Sequence, residues 1–323
     1  MFLPKECKIT QEDKEYPISK YTLSNLEHKI AGFSLPGKKK NKIKMNEDSL
    51  FIFPTNDGYA ALIFDGIGGN PDKITMHSSI DVVSRFLIGH PDLLIEPKEL
   101  LIACNDQIAE RCQGYGISTV TLALIPENKN QPVNIIYAGD SPIYSGNHFL
   151  KIEPAITRHN ETMPDSQGKL RVYLNHALGF YGEEFETREI SHPSLMIGGS
   201  DGIDEIFNYA HHIFRYHKKI NSEEVNANEG NLEDIKSLDV NSDNINSQKN
   251  CKGIKEISYD EISTEEGIRI FFNEYQRILG HDKSVKPFHA VDFCDFVLDK
   301  SLPYLSKWQR HDDITLCVYG GVE

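Results

Sequence analysis

Short runs of strand character recur along the chain and lie close together. SLFIF (49–53), YAALIF (59–64), ISTVTLALI (117–125), VNIIYA (133–138), PIYSG (142–146), KLRVYL (169–174), EFETREI (184–190), SLMIGG (194–199) and ITLCVYG (314–320) are separated mostly by turn-forming residues. Their β-branched and aromatic content predicts strands, and the short spacings predict antiparallel neighbours. Helical periodicity appears between them. EPKELLIACNDQIAERCQ repeats apolar residues at Leu100, Leu101, Cys104 and Ile108, the spacing of one helix face. TEEGIRIFFNEYQRIL and PFHAVDFCDFVLDKSL follow the same rule, and a further helix is predicted from about His77. Strands in the middle with helices in blocks predict an α+β layered fold rather than strict βαβ alternation.

The stretch 221–262 breaks this patterning. It is rich in Asn, Asp, Glu and Ser, and residues 221–261 hold ten acids against four lysines, a net of −6. Such a segment buries too little apolar surface to offset the entropy of ordering. It reads as an acidic, mobile insertion within one domain spanning 1–323, because the last strand completes chemistry begun much earlier.

The net charge of −14 over 323 residues argues against non-specific nucleic-acid binding. The six cysteines show no CxxC pair and no zinc spacing, so they predict reduced thiols. No run approaches membrane-spanning length, and MFLPKECKITQEDKEY lacks the apolar core of a signal peptide. The expectation is a cytoplasmic monomer with no membrane partner, in a host cytosol if the chain is exported.

Acids mark the strand ends. Glu47 and Asp48 precede a strand, Asp65 ends YAALIF, Asp140 sits in a tight turn, Asp201 ends an apolar strand, and Asp312 and Asp313 precede the last one. Carboxylates converging on one sheet edge repel each other unless cations neutralise them. Oxygen-only ligands select hard cations such as Mg²⁺ or Mn²⁺. Two such ions ~3.5–4 Å apart activate water and clamp a phosphate for in-line attack. In IFDGIGGN (63–70), Gly66, Gly68 and Gly69 supply positive φ or close backbone approach beside Asp65.

Taken in order, NEDS (46–49), DGIGG (65–69), GISTVTLALI (116–125), AGDSPIY (138–144), RHN (158–160), LNHALG (174–179), GSDGIDE (199–205) and DDIT (312–315) resemble the motifs of the metal-dependent Ser/Thr protein phosphatases, the protein phosphatase 2C family. The resemblance implies a four-layer α/β/β/α sandwich with two central antiparallel sheets and the metals at one end. It implies hydrolysis of phosphoserine or phosphothreonine in a phosphorylated protein substrate by direct attack of a metal-bound hydroxide, with two Mg²⁺ or Mn²⁺ ions and room for a third. Carried over by position, Asp65 bridges both ions, Asp201 and Asp312 complete one shell, and Glu47 with the Gly66 carbonyl serves the other. Asp48 orients water, and Asp140 and Glu205 match third-metal positions.

Three departures stand out. Ile67 occupies the position after Asp-Gly where eukaryotic members often carry a His and bacterial members a Met, so DGIGG resembles the bacterial type. The family's phosphate-binding Arg aligns with Ile43, leaving Lys42 or Lys44 as a point charge without a bidentate fork. Asp313 and Glu205 replace the commoner Asn and Asp.

Two rival readings remain, and two further motifs read as plain surface structure. GGSDG (198–202) fits a nucleophile elbow with Ser200, completed by a later Asp and His281 or His311. A phosphatase fold kept as a binding scaffold is the second. GFSLPGKK (32–39) approaches a phosphate loop but places Lys39 where the metal-binding hydroxyl belongs, and predicts a plain loop. His211, His212 and His217 predict surface positions.

Overall fold

The computed structural model describes residues 19–22, 30–39, 42–67, 83, 96–148, 151–164, 168–191, 193–217, 262–279, 288–308 and 310–320. The helix predicted from His77 and the acidic stretch 221–261 lie outside the described residues, as do Gly68 and Gly69.

The described chain runs β1 (Ser19–Thr22), β2 (Ile30–Leu35), β3 (Lys38–Lys39), β4 (Lys42–Ile43), β5 (Ser49–Pro54), β6 (Gly58–Phe64) and α1 (Pro97–Cys112). Then come β7 (Val120–Pro126), β8 (Val133–Ala138), β9 (Ile143–His148), β10 (Lys151–Pro154), β11 (Asn160–Pro164), β12 (Leu170–Leu174), β13 (Glu186–Ile190) and β14 (Leu195–Gly199). It closes with α2 (Gly202–Asn208), α3 (Thr264–Ile278), α4 (Ala290–Leu305), β15 (Arg310–His311) and β16 (Ile314–Gly320). The two larger sheets are ordered β1-β2-β16-β14-β9-β10 and β13-β8-β7-β6-β5, and β11-β12 and β15-β3-β4 form two small ones, with antiparallel pairing throughout.

The period-two alternation of the strands builds the layers. Along β6, Ala60, Leu62 and Phe64 pack with Leu101 and Ile108 of α1, while Ala61 and Ile63 face inward. Those inward residues meet Met196 of β14 and Cys317 of β16, so the two sheets share a central core. On the far face of the other sheet, Ala31, Phe33 and Leu35 of β2 and Leu316 and Val318 of β16 pack against Phe207, Phe271 and Phe293 from α2, α3 and α4. Helix, sheet, sheet and helix therefore stack in four layers, as the α+β reading predicts.

Helix α3 begins where the Ser263 hydroxyl accepts from the Glu266 N–H at 3.3 Å, satisfying one orphan donor. Its Ile268, Phe271, Phe272 and Tyr275 form the buried stripe. Cys104 and Cys112 are half-buried and pack at the margin of the α1 core, and Cys104 and Cys317 are free thiols.

The loop predicted for GFSLPGKK (32–39) holds only at Pro36 and Gly37, since residues 32–35 belong to β2 and Lys38–Lys39 form β3. Ile30–Leu35 is a fully buried strand between β1 and β16. Gly32 and Ser34 dilute its apolar pattern, and Gly32 is required there: a Cβ would lie 2.4 Å from the Leu316 carbonyl and from Leu50.

Candidate active site

All the acids named above lie at one end of the two sheets, where β6, β8 and β14 end and β5, β9 and β16 begin. Antiparallel order dictates this: strands paired in that way deliver alternate ends of the chain to the same edge. Asp65 leaves β6 in an extended path. Its N–H donates to Thr119 Oγ1 at 3.1 Å, and its carbonyl accepts from the Thr119 N–H at 2.8 Å and from Ser118 Oγ at 2.8 Å. Gly66 bridges Ser118, and the Ile67 N–H reaches the Ile117 carbonyl at 3.1 Å. Gly66 is needed for closeness rather than for φ: its Cβ would fall 2.7 Å from both the Cβ and the carbonyl oxygen of Glu47. The glycine thus lets the Asp65 strand and the Glu47 strand meet.

Asp313 is the strut behind this junction. Its carboxylate accepts from the Gly37 N–H and, at 2.8 Å, from the Glu47 N–H. Asp313 is buried and Asp312 exposed, in the two-residue link between β15 and β16. Sequence reasoning left Asp313 out of the site. The signal was the DD pair itself, in which one acid faces solvent and its neighbour faces inward.

The Asp201 N–H donates to Asp65 Oδ2 at 3.1 Å. Gly202 lets the start of α2 press against the Asp313 backbone, since a Cβ there would sit 2.0 Å from the Asp313 carbonyl oxygen. Glu205 Oε2 accepts from the Asp312 N–H at 3.2 Å, and Lys44 Nζ lies 3.2 Å from Asp312 Oδ1. Asn160 Nδ2 donates to Asp140 Oδ2 at 3.1 Å. Lys42 is exposed on the β3–β4 hairpin, opposite Lys39.

The electrostatics are those of crowded like charges. Burial, then the neighbouring charges of Asp201, Asp48 and Asp140, push the Asp65 carboxyl well above the usual carboxylate range, against a hydrogen bond from Asp201. Burial raises Asp48 strongly too, with Asp313 and Asp201 adding to it and the Ser200 and Thr315 hydroxyls opposing. Asp201 shows an exposed surface, yet the protein around its carboxyl, followed by Asp140 and Asp312, lifts it to about 7. Glu205 also rises to about 7, chiefly from burial.

Among the described residues, no three His, Cys, Asp or Glu side chains already surround one point as ligands. The acids instead lean on local donors: Asp65 on a backbone N–H, Asp312 on Lys44 and Asp140 on Asn160. The donor set nevertheless fits a hard divalent cation. It is made of oxygens, its members repel one another, and the buried Asp48 Oδ2 has no hydrogen-bond partner.

Two further features were missed. Arg158 donates to Asp204 at 2.6 and 3.1 Å and to the Tyr144 hydroxyl at 2.9 Å. Thr264 Oγ1, at the start of α3, donates to the same carboxylate at 2.8 Å. This tie anchors the helix that carries Asp201 and Glu205. RHN carried the signal, but an arginine pairs with an acid that sequence order does not reveal.

The Ser200 nucleophile is excluded by its surroundings. Ser200 is fully buried, its Oγ accepts from the Thr315 N–H at 3.0 Å, and it reaches the Asp313 carbonyl at 3.4 Å. His311 Nδ1 instead faces the Asp312 carbonyl at 2.8 Å, and His281 lies outside the described residues.

No protein-family model matches the chain, and no curated protein matches it in sequence. Solved structures do. The serine/threonine phosphatase Stp1 from Staphylococcus aureus aligns with a TM-score of 0.51 and 15% identity, covering 92% of this chain and 95% of that one. PppA, a regulatory component of the T6SS in Pseudomonas aeruginosa, aligns at 0.47 and 15% over 91% and 98%. The catalytic domain of the serine/threonine protein phosphatase PstP, in complex with two manganese ions, aligns at 0.46 and 13% over 91% and 98%. The chain has the fold of Stp1.

Proposed function

We propose that the chain is a Mg²⁺- or Mn²⁺-dependent phosphoprotein phosphatase acting on phosphoserine or phosphothreonine. The observation that carries this reading is the convergence of Glu47, Asp48, Asp65, Asp140, Asp201, Glu205 and Asp312 on one sheet edge, with Lys44 beside them. Asp65, the Gly66 carbonyl, Glu47, Asp201 and Asp312 would hold a pair of ions, and Asp140 and Glu205 would serve a third. When bound, the ions supply Lewis acidity toward water and neutralise charge on the phosphoryl oxygens.

The chain's own residues do the rest. Asp48, buried with one free oxygen, accepts a hydrogen bond from the attacking water and aims it. Lys44 exchanges its Asp312 partner for a phosphoryl oxygen, as a point charge rather than a fork. The water oxygen forms the new bond to phosphorus as the bond to the seryl or threonyl oxygen breaks. Ile67 has no proton to give, so the proton that the attacking water loses on bonding to phosphorus passes through solvent to the leaving alkoxide, giving the seryl or threonyl hydroxyl and inorganic phosphate.

The test is release of phosphate from a phosphoserine peptide under Mn²⁺ titration, with Asp65→Asn as control. Metal-dependent release that the variant loses supports the reading. No release at any metal concentration favours a binding scaffold.

A further inference from the structure

The small sheet β15-β3-β4 stands beside the acids and carries the opposite charge. In its register Lys39 is the partner of Lys42, Lys38 of Ile43, and the Lys44 N–H donates to the Gly37 carbonyl at 2.9 Å. Residues directly opposite, and residues two apart on a strand, share a face. Lys39, Lys42 and Lys44 therefore lie on one face, and Lys38 and Ile43 on the other. Lys38 turns away, its Nζ on the Ser306 carbonyl at 2.8 Å. Lys44 meets Asp312 at the edge of the acid cluster. Lys39 and Lys42 are exposed, and among the described residues neither has a carboxylate partner.

Like charges directly opposite on paired strands destabilise a sheet. In a protein of net charge −14, two such lysines form a local cationic feature that no carboxylate among the described residues neutralises. Their distance from Lys44 is set by the strand. Residues two apart on one face are separated by about 7 Å. An extended peptide has the same spacing between its own i and i+2 side chains.

We propose that Lys39 and Lys42 form a second anion subsite, reading a phosphate or carboxylate two residues from the scissile phosphoresidue of an extended substrate. This rests on the phosphatase reading and adds its substrate class: acidic or multiply phosphorylated segments. With the scissile phosphoryl group at Lys44, the neighbouring anion reaches the Lys39–Lys42 pair. An anion one residue away points to the opposite side of the extended peptide.

The experiment compares kcat/KM on phosphoserine peptides carrying Ala, Glu or a second phosphoserine at one or two residues from the scissile group, alongside a small aryl phosphate. The wild-type protein should prefer an anion at two residues over Ala by roughly fivefold, with the advantage falling at high salt. Lys39→Glu, an exposed change outside the catalytic machinery, should erase that preference and leave aryl phosphate turnover unchanged. Comparing Glu with phosphoserine separates a general carboxylate reader from a phosphate reader; a preference for either that needs Lys39 supports the subsite. An active enzyme with no preference, or one whose preference survives Lys39→Glu, overturns the subsite alone. Failure to hydrolyse the aryl phosphate with metal overturns the phosphatase reading and the subsite with it.

Discussion

Replacing Asp201 with Asn should stabilise the metal-free protein while abolishing the proposed phosphate release. Asp201 begins α2 but makes no side-chain capping bond, and its contact to Asp65 runs through the backbone N–H. Among the described residues, losing the carboxylate therefore removes no hydrogen bond of its own. It does remove a charge that the fold disfavours. The rise from 3.8 to about 7 corresponds to about 4 kcal/mol against the ionised form if taken in full. The exposed surface of Asp201 screens much of that, leaving about 1–2 kcal/mol. The sign follows from linkage. Between 3.8 and about 7 the folded state holds a proton that the unfolded chain has released, so stability falls as pH rises through that window and stays reduced above it. Asn carries no such penalty. Urea unfolding in EDTA at pH 4 and pH 8 checks this: the variant's advantage should be small at pH 4 and full at pH 8. An Asp201→Asn protein equal to or weaker than wild type at pH 8 would refute the claim that repulsion strains this edge.

Gly66→Ala should lose about 2 kcal/mol or more by denaturation, along with most phosphate release, because the new methyl meets the Glu47 backbone at 2.7 Å. Arg158→Met should cost about 2 kcal/mol in urea unfolding: a hydrogen-bonded ion pair is lost, but both side chains keep some solvent access. Lys44→Ala should raise KM for phosphopeptides more than it lowers kcat, read in steady-state assays. A fluorophosphonate probe should leave Ser200 unlabelled in the folded protein, as its hydroxyl is fully buried and bonded to backbone.

The layers were legible because strand alternation and helical spacing are local signals. β6 and β16 fall where YAALIF and ITLCVYG predict them. β2 was not, since Gly32 and Ser34 break an apolar run in a strand buried along its whole length. The position of the acids was legible from their places at strand ends, because antiparallel pairing sends those ends to one edge. Their partners were not. The Arg158–Asp204 tie spans 46 residues, and the Asp313 contact to Glu47 spans 266. Nothing local in either segment names the other. The purpose of Gly66 was legible in kind, as close approach, while its partner Glu47 emerged only from packing.

The central claim is that acids from distant stretches of chain form one binding place for hard divalent ions. Calorimetric titration of Mn²⁺ into metal-free protein tests it most directly. The account predicts saturable binding that is lost or much weakened in Asp65→Asn. No binding heat by wild type, or equal binding by the variant, would contradict it.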